Sequence, residues 1–226
     1  MIPHYPDYTE LLDTCAEYVR CEQGDTVYEV AQGWIQLHWG DAHKVAGGVR
    51  ILEETWNRAF YAYGIFDMEQ LVTTIEAHTH ALSMLRSRQL ETFADDDEQT
   101  TSNLWQAFFE ALRPRGQTRS PYVATAKALH VLAPSFFVPF DAKICKYYSC
   151  NIDQPRGFLR FQHDMAEMAH HILKTYTAVH GGDEHSARAD VCGSLYLQKT
   201  GSRYPKTMAK MLDEYNWVIS KNRLEH

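Results

Sequence analysis

The stretch SPYVATAKALHVLAPSFFVPFDAKICK, residues 120–146, decides how the chain is read. Ser120-Pro121 is a helix start: a capping residue, then a proline at the first helical position, where its missing N–H costs nothing. Val123, Ala126, Leu129, His130 and Leu132 follow at helical spacing, and Pro134 ends the run. An apolar strip, Phe136-Phe137-Val138, then leads through Pro139-Phe140 into Asp141, where a short helix begins. Asp141 is a natural N-cap. It is also a lone carboxylate at the end of an apolar strip, so capping and chemistry both remain open readings.

Upstream, Leu104, Trp105, Phe108 and Phe109 mark another helix, which must end at or before Pro114. The two helices and their turn make a helix–turn–helix unit with a basic connection. Arg113, Arg115, Arg119 and Lys127 fall within residues 113–127, which hold no acid. The N-terminus of the second helix, with Arg115, Arg119 and Ser120 beside it, suits a phosphate. An ordinary αα-hairpin with a solvated loop has the same composition.

The remaining pattern is helical almost throughout. Asp7 with Glu10 is a capping box before Leu11, Leu12, Cys15, Tyr18 and Val19. Asp25 is placed to cap a second helix, Val45 to Tyr63 reads as a third stopped by Gly64, and Asp67 opens a fourth. Gly47-Gly48 marks a close helix contact or a break. The acidic run Asp95-Asp96-Asp97-Glu98 reads as a solvated loop leading into the Trp105 helix. Later helices are expected over about 158–179, 184–198 and 205–220. No segment alternates with period two, so the fold class is all-α. Residues 1–223 are read as a single domain with two lobes, and 224–226 as the remnant of a purification tag.

Net charge is −7, which argues against a general nucleic-acid coat protein but leaves room for a local basic face. The five cysteines include no CxxC pair, and no signal peptide is evident, so free thiols in the cytoplasm are expected. No apolar run is long enough to span a membrane.

The segment Val138-Pro139-Phe140-Asp141, followed by Ala-Lys-Ile-Cys-Lys, resembles that of the helix-hairpin-helix DNA glycosylases. There a proline, an apolar residue and an essential aspartate precede a helix. Thr125-Ala126 and the apolar run to Pro134 resemble the second helix of that family's hairpin. The likeness covers roughly residues 104–148, about a fifth of the chain. The family's Gly-x-Gly turn is replaced by Arg115-Gly116-Gln117-Thr118-Arg119-Ser120-Pro121. The span to the aspartate is shorter by about one helical turn. The position of a nucleophilic lysine falls near Ala124, with Lys127 one turn on, and no four-cysteine iron–sulfur motif is present.

The resemblance implies a two-lobed helical fold and a DNA glycosylase that flips a modified base out of double-stranded DNA. Asp141 would be the essential carboxylate, stabilising charge on the sugar and orienting water. Lys127 is the second candidate for catalysis, though its offset favours a monofunctional enzyme that leaves an abasic site. Arg115, Arg119, Ser120 and Lys143 are the DNA-binding candidates. Trp56, Asn57 and Tyr61, with Tyr63, are the candidate base pocket, and the aromatics among them fit the core of a helical chain better. No cofactor and no metal is expected. Some bacterial members of this kind attack modified bases in phage DNA as a defence, so a modified cytosine is one candidate target.

Two other classes fit the residues. One is a non-catalytic helical module that holds nucleic acid or protein through the Arg113–Arg119 turn. The other is a metal-dependent hydrolase on His163, Glu167 and His170, which share a helix face. HExxH, a Walker P-loop, GxSxG and a dinucleotide GxGxxG are absent.

Overall fold

The computed structural model describes residues 4–22, 26–62, 64–150 and 154–224. Asp25 and Tyr63 lie outside them. The described residues form helices and connecting loops, with no strand among them. The helices are α1 Tyr8–Cys21, α2 Thr26–Leu37, α3 Ala42–Trp56, α4 Met68–Arg86, α5 Glu98–Ala111, α6 Tyr122–Leu132, α7 Ala142–Tyr147, α8 Pro155–His180, α9 Glu184–Ala189, α10 Tyr196–Thr200 and α11 Met208–Leu224.

Packing sorts them into two groups. Helices α2 to α6 pack on one another, while α1 packs on α8, α10 and α11, and α7 packs on α11. Helix α5 joins the groups by packing on α8, where Trp105 stacks on Phe158 with ring centroids 4.5 Å apart. One hydrophobic cluster runs through both groups.

The apolar strip after α6 is the plug of this core. Phe136, Phe137, Val138 and Phe140 are all buried. A buried loop must find partners for its backbone polar groups. Gln162 of α8 supplies them, accepting from Val138 N at 2.9 Å and donating to Val138 O at 2.8 Å. His130 Nδ1 adds a contact to Phe137 O at 2.6 Å. The strip is thus held by side-chain amide and ring as well as by burial, and this fixes where Asp141 emerges. Removing Phe137 would cost about 3–5 kcal/mol, as for other buried aromatics.

Gly48 is a close contact and not a break. A Cβ there would lie 2.5 Å from the Ile35 side chain, so α2 and α3 approach too closely for any larger residue. Asp7, Asp67 and Asp141 cap their helices through side-chain oxygens, as expected from their positions, and Asp41 and Asp183 do the same for α3 and α9.

Several boundaries differ from expectation. Helix α3 ends at Trp56, well short of Tyr63, because Tyr61 is pulled away to donate to Leu112 O at 2.9 Å and to pack edge-on against Phe66. Helix α6 begins at Tyr122 and has no side-chain cap, so Ser120 does not play the predicted capping role. Thr125 instead doubles the first turn, its N–H and hydroxyl both bonding Pro121 O at 2.8 and 3.0 Å. Glu10 does not close a capping box but bonds His4. The acidic run is not a plain solvated loop: Asp97 is buried, ion-paired with Arg88 and bonded to Ala94 N at 2.9 Å. The single helix expected over 184–198 is interrupted by a π-helical turn, Asp190–Leu195.

Candidate active site

Three separated segments meet at one cavity of about 450 Å³. The end of α3 contributes Trp56 and Asn57, with Phe60 from the turn beyond it; the start of α6 contributes Ser120 to Ala124 and Lys127; the start of α7 contributes Asp141 and Lys143. That volume lies within the range of small-molecule sites.

Asp141 Oδ1 accepts from the backbone N–H groups of Lys143 and Ile144, both at 2.8 Å. Oδ2 makes no hydrogen bond among the described residues. Asp141 therefore caps α7 with one oxygen and offers the other to the cavity it lines. Capping and chemistry are not exclusive in this geometry.

Lys127 reaches across from α6 to the end of α3. Its Nζ donates to Asn57 Oδ1 at 3.1 Å and to Trp56 O at 3.4 Å, and lies 5.3 Å from the centre of the Trp56 ring. The Trp56 carbonyl is available because α3 stops there. Burial pushes the Lys127 ammonium below its usual range, while Glu53, Asp213 and Asp141 pull it back up and Lys210 opposes them.

Behind this wall the polar groups are denser than sequence reading suggested. Glu53 lies one turn before Asn57 on α3, is fully buried, and accepts from Asn57 Nδ2 through Oε2. Its Oε1 has no hydrogen-bond partner among the described residues. Burial raises the Glu53 carboxyl far above the usual range, against the opposing pull of Asn57 and Lys127. Trp56 stacks on Tyr28, which in turn stacks on His130, with centroids 5.6 and 5.4 Å apart. Lys210, buried and paired with Asp213 at 2.7 Å, sits over the rings of Tyr18, Tyr28 and Trp56.

The predicted residues therefore divide. Asp141, Lys127, Ser120, Lys143, Trp56 and Asn57 all line the cavity. Tyr61 does not. It is buried, and its hydroxyl is spent on Leu112 O, so its place in the base pocket is withdrawn. Phe60, one residue earlier, takes that place. Arg115 is also diverted, because its guanidinium is paired with Asp67. Arg119 and Arg58 are exposed and make no ion pair among the described residues, nor does the exposed Lys143. Phe60, Tyr122 and Glu53 were not foreseen. For Glu53 a signal existed, since a residue four before Asn57 must share its helix face.

The proposed metal-ligand face on α8 comes apart. His163 Nε2 bonds Glu98 at 2.9 Å, Glu167 accepts from Tyr5 OH at 2.7 Å, and His170 faces Glu184 at 3.4 Å. Each has a different partner, so these residues do not converge on one ion. The trio that does converge is Asp95, Glu98 and His163, with ligand atoms within 4.8 Å of one another on an exposed face.

Among the described residues, no helix is long and apolar enough to cross a membrane. No family model matches the chain, and no curated protein or solved structure is significantly similar to it.

Proposed function

We propose that the protein is a DNA glycosylase that flips a modified base, a modified cytosine of phage DNA being one candidate, into the Asp141 cavity and hydrolyses its N-glycosidic bond. The observation that carries this reading is the convergence of Asp141, Lys127 and Trp56-Asn57 from three separate segments on one cavity. Arg58, Arg119 and Lys143, exposed and without ion-pair partners among the described residues, belong to the segments that line it and supply phosphate contacts despite the net charge of −7.

As the C1′–N bond breaks, its electron pair leaves with the base and positive charge grows on the sugar. Asp141 Oδ2 stabilises that charge and accepts a proton from the attacking water, whose oxygen forms the new C1′–O bond. Trp56 and Phe60 supply aromatic faces for the extruded base. Lys127 is already committed to Asn57 and Trp56 O, which favours a positioning role over a Schiff base and hence a monofunctional enzyme that leaves an abasic site. The five free thiols suit a reducing compartment, and we place the activity in the cytoplasm.

Incubation with ordinary and base-modified phage DNAs, followed by assay for abasic sites, tests the reading. Base release by the wild type, lost in Asp141→Asn with DNA binding retained, is the expected result. Release from none of these DNAs overturns it and leaves the non-catalytic nucleic-acid module as the reading of the same cations.

A further inference from the structure

Glu53 is a buried group beside the cavity wall that the glycosylase reading leaves without a task. It has no solvent exposure, and one of its oxygens has no partner among the described residues. Such an oxygen carries a desolvation cost. What it does touch is informative. Lysine can only donate, so the 3.1 Å contact from Lys127 Nζ assigns that atom of Asn57 as Oδ1. The other end, Nδ2, then donates to Glu53 Oε2. Lys127, Asn57 and Glu53 form one directed chain. Among the described residues it leaves one amide N–H of Asn57 and one ammonium N–H of Lys127 without an acceptor, on two residues that line the cavity.

We infer that Glu53 is a positioning residue, which locks the Asn57 amide so that its free N–H reads a hydrogen-bond acceptor on the flipped base. This rests on the glycosylase reading for the identity of the ligand. The chain itself is a property of the protein alone. In its protonated form Glu53 keeps Oε2 as the acceptor for Asn57 and places its proton on Oε1, the atom without a partner. Lys127 from α6 and Asn57 at the end of its own helix oppose the effect of burial on it, and Glu53 in turn acts on the Tyr61 hydroxyl of the following turn. Behind Lys127 stand Asp141, Asp213 and Lys210. Glutamine in its place preserves the acceptor without the titration. Leucine removes the acceptor.

The test uses the full chain in two readouts. In the first, the Asn57 side-chain NH₂ resonances are followed from about pH 5 to 9. They should move with the ionisation of Glu53 in the wild type and stay fixed in Glu53→Gln. Absence of that movement in the wild type overturns the anchor. In the second, single-turnover base release from modified DNA should stay within about threefold of wild type in Glu53→Gln. It should fall at least about tenfold in Glu53→Leu, with the Kd for abasic DNA unchanged. Release by a folded Glu53→Leu at the wild-type rate overturns the positioning role. A deaza analogue, with C–H for the ring acceptor, should be released slowly by the wild type; release at the parent rate overturns acceptor reading. If the Asn57 resonances titrate as expected and the wild type releases no base, the anchor stands and the glycosylase reading falls.

Discussion

Asp141 and Glu53 are two carboxyls that act on the same ammonium, Lys127, and their surroundings give them opposite characters. Asp141 is partly exposed at a helix start, with two backbone N–H donors on one oxygen. Glu53 is sealed in the core with one side-chain donor and an orphaned oxygen. The lesson is that the fold decides which carboxyl is left accessible to a cavity and which is sealed away from water. The accessible carboxyl is suited to a developing cation. The sealed one is suited to holding a neighbour still.

The largest test of that contrast is Asp141→Asn. Asparagine caps a helix as well as aspartate, so stability should change by no more than a few tenths of a kcal/mol. Base release should fall by about two to four orders of magnitude, read in a single-turnover abasic-site assay. Wild-type rates in this variant would reduce Asp141 to a cap.

The second test uses pH. Burial lifts Glu53 from its ordinary value of 4.5 to about 8 in the folded chain. The folded state therefore holds a proton that the unfolded state has released. The associated stability is complete below about pH 4.5 and is lost as pH rises through about 8. Urea titrations across this range should show that loss in the wild type and a flatter profile in Glu53→Gln. An equal slope in both would mean that Glu53 is not held neutral.

A smaller effect separates the capping part of Asp141 from the rest. Asp141→Ala should cost about 1 kcal/mol in chemical denaturation, since α7 loses its side-chain N-cap. The smallest concerns the exposed cations. Arg119→Ala and Lys143→Ala should each lower the slope of log affinity against log salt by about one, whereas Arg115→Ala, paired with Asp67, should barely move it. If Arg115 matters as much as Arg119, the ion pair opens on DNA.

Helical periodicity made most of the fold legible, because each helix hides a stripe of apolar residues. Asp141 as cap, and Gly48 as a contact, were readable from local rules. What escaped reading depends on partners far away in sequence. The end of α3 is set by Tyr61 reaching Leu112, and no local breaker announces it. Arg115 is removed from the site by Asp67, 48 residues earlier. The histidine face of α8 looked like a ligand set because spacing reveals which residues share a face. It does not reveal that Tyr5, Glu98 and Glu184 wait opposite them.

The early stop of α3 has one more consequence. Its last turn leaves the Trp56 carbonyl without a helical partner, and Lys127 fills the vacancy from another helix. Lys127 is thus the C-terminal cap of α3, supplied in trans. Replacing it with methionine would remove one tether each from Trp56 and Asn57, which keep their contacts with Tyr28 and Glu53, and would loosen the wall of the cavity. Lost activity in such a variant reports a displaced wall. Borohydride trapping of the wild type on DNA is the measurement that reports amine chemistry, and the two should be read separately.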